Sequence, residues 1–170
     1  MIDAQDREIL KILQQNARTS NAEIARQLGM APSAILERIR KLEARGVIQG
    51  YEAKIDPEAL GLGLLAFVSV HDEAPNNEGR IGDLLARLPE VQEVHHIAGE
   101  DCFLVKVRTA DARSLGRLLR QEIAATGPVR TRTTVVLETL YETSRLPIKS
   151  PAPVEEEADA AVVLAEVAHA

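Results

Sequence analysis

The chain of 170 residues has no tryptophan and only four other aromatic side chains besides histidine: Tyr51, Phe67, Phe103 and Tyr141. That scarcity excludes a row of platforms on which successive unpaired bases stack, so any nucleic-acid partner is expected to be duplex. One cysteine, Cys102, leaves no internal disulfide framework. No apolar run reaches the roughly 18–20 residues of a membrane span, and no charged-then-apolar leader opens the chain. A reducing, cytoplasmic setting without membrane attachment is expected. Glycine-rich phosphate loops, nucleophile elbows and paired metal motifs are missing too. His95 and His96 adjoin, which on a strand sends them to opposite faces and prevents them from chelating one metal, and Cys102 has no activating neighbour in sequence. No enzyme, metal or cofactor is therefore expected; the contrary reading would need chemistry from His95, His96 and Cys102.

Basic residues are absent from one stretch in particular. Residues 151–170 hold five acidic side chains and no Lys or Arg, whereas residues 1–62 hold nine of each sign and residues 63–150 eleven basic against twelve acidic. The net charge of −6 sits mostly in the tail, so the acidity of the whole says little about partners. Residues 149–170, "KSPAPVEEEADAAVVLAEVAHA", read as a disordered or weakly helical acidic, alanine-rich tail, because Val162, Val163 and Leu164 are too few to build a core.

What is present is organised in two halves. Ile9, Leu10 and Leu13 recur at helical spacing and predict an amphipathic helix over residues 3–16. Ser20 followed by Glu23 reads as a capping box that opens a second helix ending near Gly29. Pro32 suits the first turn of a third helix and Gly46 the position after its end, with only "GMA" between the second and third. That is helix-turn-helix spacing. Residues 47–54 then read as a short strand or wing. From Leu64 the pattern becomes strand, helix (residues 78–88), a hairpin around "GED", helix, and a final strand in "TRTTVVLETLY". The β-α-β-β-α-β order predicts a ferredoxin-like domain, one antiparallel sheet with both helices on one face, so that the open face implies self-association.

Chemistry concentrates on the third helix. At about 100° per residue Ile35, Ile39 and Leu42 share one arc, while Ser33, Glu37, Arg40, Lys41 and Ala44 fall opposite, with Arg38 at the rim. Between residues 26 and 45 five basic residues face two acidic ones, in a half whose charges otherwise cancel. Arg and Lys neutralise phosphates, Arg pairs with guanine edges, and Glu accepts from the cytosine amine; short residues at the helix start, Ser33 and Ala34, admit the backbone closely. Glu37–Lys41 is also an ordinary i,i+4 pair on a solvated helix.

Two stretches carry a resemblance. "SNAEIARQLGMAPSAILERIRKLEARGVIQGYEAKIDPEALG" resembles the winged helix-turn-helix of the Lrp/AsnC (feast/famine) transcriptional regulators, and "EVHHIAGEDCFLVKVR" resembles the hairpin of their amino-acid-sensing domain. The resemblance spans residues 2 to 149 and implies an α+β chain: a winged helix-turn-helix over 1–55, a linker over 56–63, and a ferredoxin-like (ACT-like/RAM) effector-binding and oligomerisation domain over 64–148. It further implies a homodimer that binds palindromic DNA, assembles into tetramers, octamers or larger discs, and responds to a small effector, usually an amino acid. Carried over by residue, Arg38, Arg40 and Lys41 match the basic positions of the recognition helix and Ser33 lies in its opening turn. Ala31 stands where many members place a capping Ser or Thr, a change worth typically ~1 kcal/mol. The effector is expected near Gly99, Glu100 and Asp101, whose turn exposes N–H groups to a carboxylate, with Thr131, Thr133 and Thr134 lining the same interface. Cys102 occupies the position where the family carries an acid, and Asp101 lies one place earlier. The alternative reading is an amino-acid sensor and oligomerisation protein that has lost specific DNA binding, with Ala31 as its one supporting feature.

Overall fold

Asp3 starts the first helix by folding its carboxylate over the opening turn. Its Oδ1 accepts from the Asp6 N–H at 2.7 Å while Asp6 Oδ2 accepts from the Asp3 N–H at 3.3 Å, a reciprocal cap that satisfies two otherwise orphaned donors. The computed structural model describes residues 2–74 and 78–149, so the expected acidic tail lies outside the described residues apart from Lys149. Two compact units result, one built from the chain up to Ala53 and again from Thr143, the other from Lys54–Glu142.

In the first unit α1 (Ala4–Gln15), α2 (Asn21–Leu28) and α3 (Pro32–Ala44) each turn an aliphatic edge inward. Ile9, Ile24, Ala25, Ile35 and Ile39 form the shared core, with Ile12, Leu13, Leu28, Met30 and Ile48 packed around it. Each fully buried aliphatic contributes about 1.5–3 kcal/mol. The capping box expected at Ser20 is only half formed: Ser20 Oγ accepts from the Glu23 N–H at 3.2 Å, but the Glu23 carboxylate turns to Arg26 and Gln27. Gly29 closes α2 at φ +65°, and three residues separate it from α3, whose N-terminal Ala31 makes no side-chain cap.

Of the short strand or wing expected over residues 47–54, no strand forms. The Val47 and Ile48 amides reach back to the Leu42 carbonyl at 2.9 and 3.3 Å, Ile48 seats against the helical core, and the exposed residues that follow find no ladder partner. Tyr51 donates its hydroxyl to Glu43 at 3.0 Å, which holds this segment against α3. The chain from Thr143 also returns to this unit: Gln14 donates to the Leu146 carbonyl at 3.1 Å and accepts from the Leu146 N–H at 2.7 Å, and Arg7 donates to the Lys149 carbonyl at 3.4 Å.

The second unit holds β1 (Leu64–Asp72), α4 (Glu78–Leu85), β2 (Val91–His96), β3 (Phe103–Thr109), α5 (Ala112–Arg117) and β4 (Val129–Val135). The four strands form one antiparallel sheet in the order β2-β3-β1-β4. Past Arg117 the helix widens over Leu118–Ile123 and tightens over Ala124–Thr126, which carries Leu118 and Ile123 into the core beside Leu115. Ala66, Val68, Val70, Phe103, Val105 and Val107 meet Ile81, Leu85, Leu115, Leu118 and Ile123 in a single cluster, so both helices cover one face. β4 starts at Val129 and stops at Val135, short of the expected Tyr141: its pairing with β1 ends at Ala66, with one further bond from the Val136 N–H to the Leu65 carbonyl at 2.9 Å. Leu137, Leu140 and Tyr141 beyond it are 99%, 86% and 83% exposed.

The Asp3 cap also titrates. Its carboxyl is held below the ordinary aspartate range, chiefly by the Asp6 N–H and then by the Arg38 guanidinium. A depressed folded-state pKa gives stability that is present above about pH 4 and is lost as the pH falls through and below it. Asp3→Ala is expected to lower stability by about 0.5–2 kcal/mol near neutrality. In urea unfolding the gap from the parent should shrink as the pH is lowered from about 5 toward 3; a gap that stays constant across that range would place the stabilisation elsewhere.

Candidate nucleic-acid interface and ligand turn

The buried side of α3 decides what its other side presents. Ile35, Ile39 and Leu42 retain 0%, 7% and 1% of their surface, which rotates Ser33, Glu37, Arg40, Lys41 and Ala44 into solvent; Ala34, at the flank, is half-buried. The basic residues there have three different fates. Arg40 is exposed and makes no hydrogen bond or ion pair among the described residues. Lys41 reaches Glu37 Oε1 at 2.6 Å, both side chains about two-thirds exposed (68% and 67%), an arrangement that water screens and a phosphate can replace. Arg38 is committed elsewhere: its Nη1 donates to Asp3 Oδ2 at 2.6 Å and Asp6 Oδ1 at 2.7 Å, tying α3 to the start of α1. Those carboxylates, Asp3 foremost, hold the guanidinium's pKa above its usual value. Of the rim position's two expected options, phosphate or carboxylate, the carboxylates of α1 have taken it. Along this flank lies a cavity of about 410 Å³ lined by Asp3, Asp6, Glu37, Arg38, Lys41 and Arg45.

The hairpin between β2 and β3 is the second candidate. Gly99 takes φ +154°, a backbone region that favours glycine, and the turn is strapped on three sides. Ile97 donates to the Cys102 carbonyl at 2.9 Å, Cys102 donates to the Val70 carbonyl of β1 at 3.0 Å, and His71 Nδ1 donates to the Glu100 carbonyl at 2.6 Å. From β4, Arg132 donates to Asp101 Oδ2 at 2.7 Å. His96, Ile97, Ala98, Gly99, Asp101 and Cys102 line a cavity of about 370 Å³, at the small end of ligand sites.

Strand register sorts the expected lining residues. Thr134 pairs with Phe67 on the open sheet face, while Thr133 and Thr131 pair with the buried Val68 and Val70 and so lie on the helix-covered side. Thr133 and Thr134 therefore lie on opposite faces of the sheet. His71 and Arg132, which the sequence reading passed over, reach the turn instead. Their only sequence signal is alternation along β1 and β4; which residues stand beside "GED" follows from the register of three strands. His95 and His96 do part: His95 meets Glu93 at 3.1 Å, and the His96 ring lies 5.2 Å from that of Phe103. Half-buried Cys102 packs against the core.

Comparison with known proteins bears on both candidates. Residues 2–49 match the family model described as winged helix-turn-helix DNA-binding, and residues 65–146 match that described as the Lrp/AsnC ligand binding domain. The chain is 40% identical over 140 residues to the HTH-type transcriptional regulator LrpA of Mycobacterium tuberculosis, covering 82% of this chain and 93% of the relative. It is 37% identical over 152 residues to the leucine-responsive regulatory protein of Escherichia coli, covering 88% and 93% respectively. Among solved structures, a feast or famine regulatory protein from M. tuberculosis complexed with L-methionine aligns with TM-score 0.82 at 39% identity, covering 88% of this chain and all (100%) of that one.

The contrast between Arg38 and Arg40 is measurable on duplex DNA. Arg40→Ala should lower affinity and reduce the slope of log K against log[salt] by about 1, the signature of one lost phosphate contact. Arg38→Ala should lower affinity and the stability of the first unit while leaving that slope unchanged, because its charge is already neutralised by α1. An equal loss of slope in both variants would make Arg38 a phosphate ligand and remove its positioning role.

Proposed function

This chain belongs to the Lrp/AsnC family of transcriptional regulators, and from that premise we propose that Arg40 and Lys41 on α3 enter the major groove of duplex DNA while the β2–β3 turn takes an amino acid. The observation that carries the DNA half is the α3 face itself: a helix pinned by three buried aliphatics presents a free Arg40, an exchangeable Lys41 and the short Ser33 toward solvent. Glu37 stands among them as an acceptor for a base amine and as a repulsive element that disfavours indiscriminate contact.

The effector half is supported by the Asp101–Arg132 pair beside Gly99. A zwitterionic amino acid suits that pair: its ammonium is matched by Asp101 and its carboxylate by Arg132 and the turn's N–H groups, so two ion pairs replace one. Asp101 thereby substitutes for the acid that Cys102 displaces. The cavity size fits a single amino acid, and the L-methionine complex of the M. tuberculosis relative belongs to the same ligand class.

Self-association completes the reading. The open sheet face and the run from Val135 to Tyr141 leave Val135, Leu137, Leu140 and Tyr141 exposed, a large apolar surface for a protein to leave to water. A homodimer built on that face, with further dimers stacked around the turns, would pair two α3 helices for a palindromic site; tetramers, octamers or larger assemblies follow the same logic. Effector binding then acts through a shift in assembly or in the spacing of paired α3 helices. No helix among the described residues is long and apolar enough to cross a membrane, in keeping with the proposed cytoplasmic place of work.

A thermal-shift screen against the twenty amino acids tests the sensing half. At about 100-fold excess over Kd one ligand should stabilise by about 2.7 kcal/mol. Asp101→Asn should abolish that response while DNA binding persists. A response that survives Asp101→Asn unchanged, or no response to any amino acid, would refute the assignment of this turn.

A further inference from the structure

The described chain ends against α1, in the same compact unit as the helix proposed to meet DNA. Gln14 exchanges two hydrogen bonds with Leu146, and Arg7 on α1 donates to the Lys149 carbonyl. Arg7 follows directly after Asp6, whose carboxylate holds Arg38 of α3. Lys149 is thus anchored on α1, the helix whose first turn holds Arg38 of α3. The next residues in sequence, 150–170, contain Glu155, Glu156, Glu157, Asp159 and Glu166 and no Lys or Arg.

We propose that this acidic segment docks in cis on the Arg40, Lys41 and Arg45 side of α3 and competes with DNA for it. The proposal rests on the DNA-binding reading of that helix. Charge complementarity favours it: the segment carries five acids and no Lys or Arg, and the solvent face of α3 presents Arg40 and Lys41. Reach is sufficient. Residues 150–170 span at most ~70 Å fully extended and ~30 Å as a helix, against about 20 Å for the thirteen residues of α3.

Tethering raises the local concentration of the segment to the millimolar range, enough for a weak polyanion contact to compete. The competition discriminates. Non-specific duplex binding is almost wholly electrostatic and yields to a competing anion, whereas a cognate site adds base contacts that the segment cannot copy. The acidic segment would therefore widen the gap between specific and non-specific binding and speed release from random DNA.

The test compares the full chain with a full-length variant carrying Glu155→Gln, Glu156→Gln, Glu157→Gln, Asp159→Asn and Glu166→Gln. On random-sequence duplex at about 50 mM salt the variant should bind about three- to tenfold more tightly, and the two proteins should converge near 0.3 M salt as screening removes the competitor. Equal affinity at low salt overturns the proposal. Amide NMR shifts in the absence of DNA provide an independent readout: neutralising the segment should move resonances between Ser33 and Arg45 of the free protein. Unmoved α3 resonances overturn it as well, even if low-salt affinity rises through net charge alone. Should neither protein bind duplex at any salt, the DNA-binding reading fails, while the NMR comparison still decides whether the segment docks.

Discussion

Burial of Ile35, Ile39 and Leu42 is the constraint on which the DNA-facing half depends, because a helix fixed by three side chains on one arc has no rotational freedom left for the others. Ile9 and Ile24 supply the opposing surface, and the three-residue turn from Gly29 to Ala31 sets the angle at which α3 arrives. The outward set is consequently decided from the inside. A hydrophobic contact, non-directional by itself, becomes the source of direction for charged groups that touch nothing in the core.

Electrostatics refines that arrangement rather than creating it. Arg38 spends its charge on Asp3 and Asp6, joining the start of α1 to the middle of α3. Arg40, two residues on, is left uncommitted among the described residues. Chemically identical side chains acquire different roles because one sits at the rim of the buried arc, within reach of carboxylates, and the other points away.

The second unit uses a different device. Alternation along β1 and β3 sends one set of residues under α4 and α5 and leaves the other on an open face, where Glu93, Lys106 and Glu142 form an ion-paired group. Lys106, held above the ordinary lysine range chiefly by Glu142, is paired with both carboxylates and retains only 13% of its side-chain exposure. At the far end of the same face His71 and Arg132 strap the β2–β3 turn from two neighbouring strands. A turn held this way keeps its N–H groups and its acid in fixed positions, which lowers the ordering entropy that a small ligand would otherwise have to overcome.

Helices, strands and their order were legible in the chain because each is written in a local period: 3.6 residues for Ile35, Ile39 and Leu42, two for Phe103, Val105 and Val107. So were the uncapped Ala31 and the parting of His95 from His96, which follow from neighbours a few residues away. Other features needed coordinates. The missing strand after Gly46, the end of β4 at Val135, the capture of Arg38, the separation of Thr133 from Thr134 around their sheet, and the pairing of Gln14 with Leu146 each depend on a partner far along the chain. A sequence states what a residue repeats; only the tertiary structure decides what stands opposite it, and ladders, ion pairs and strapped turns are properties of that opposition.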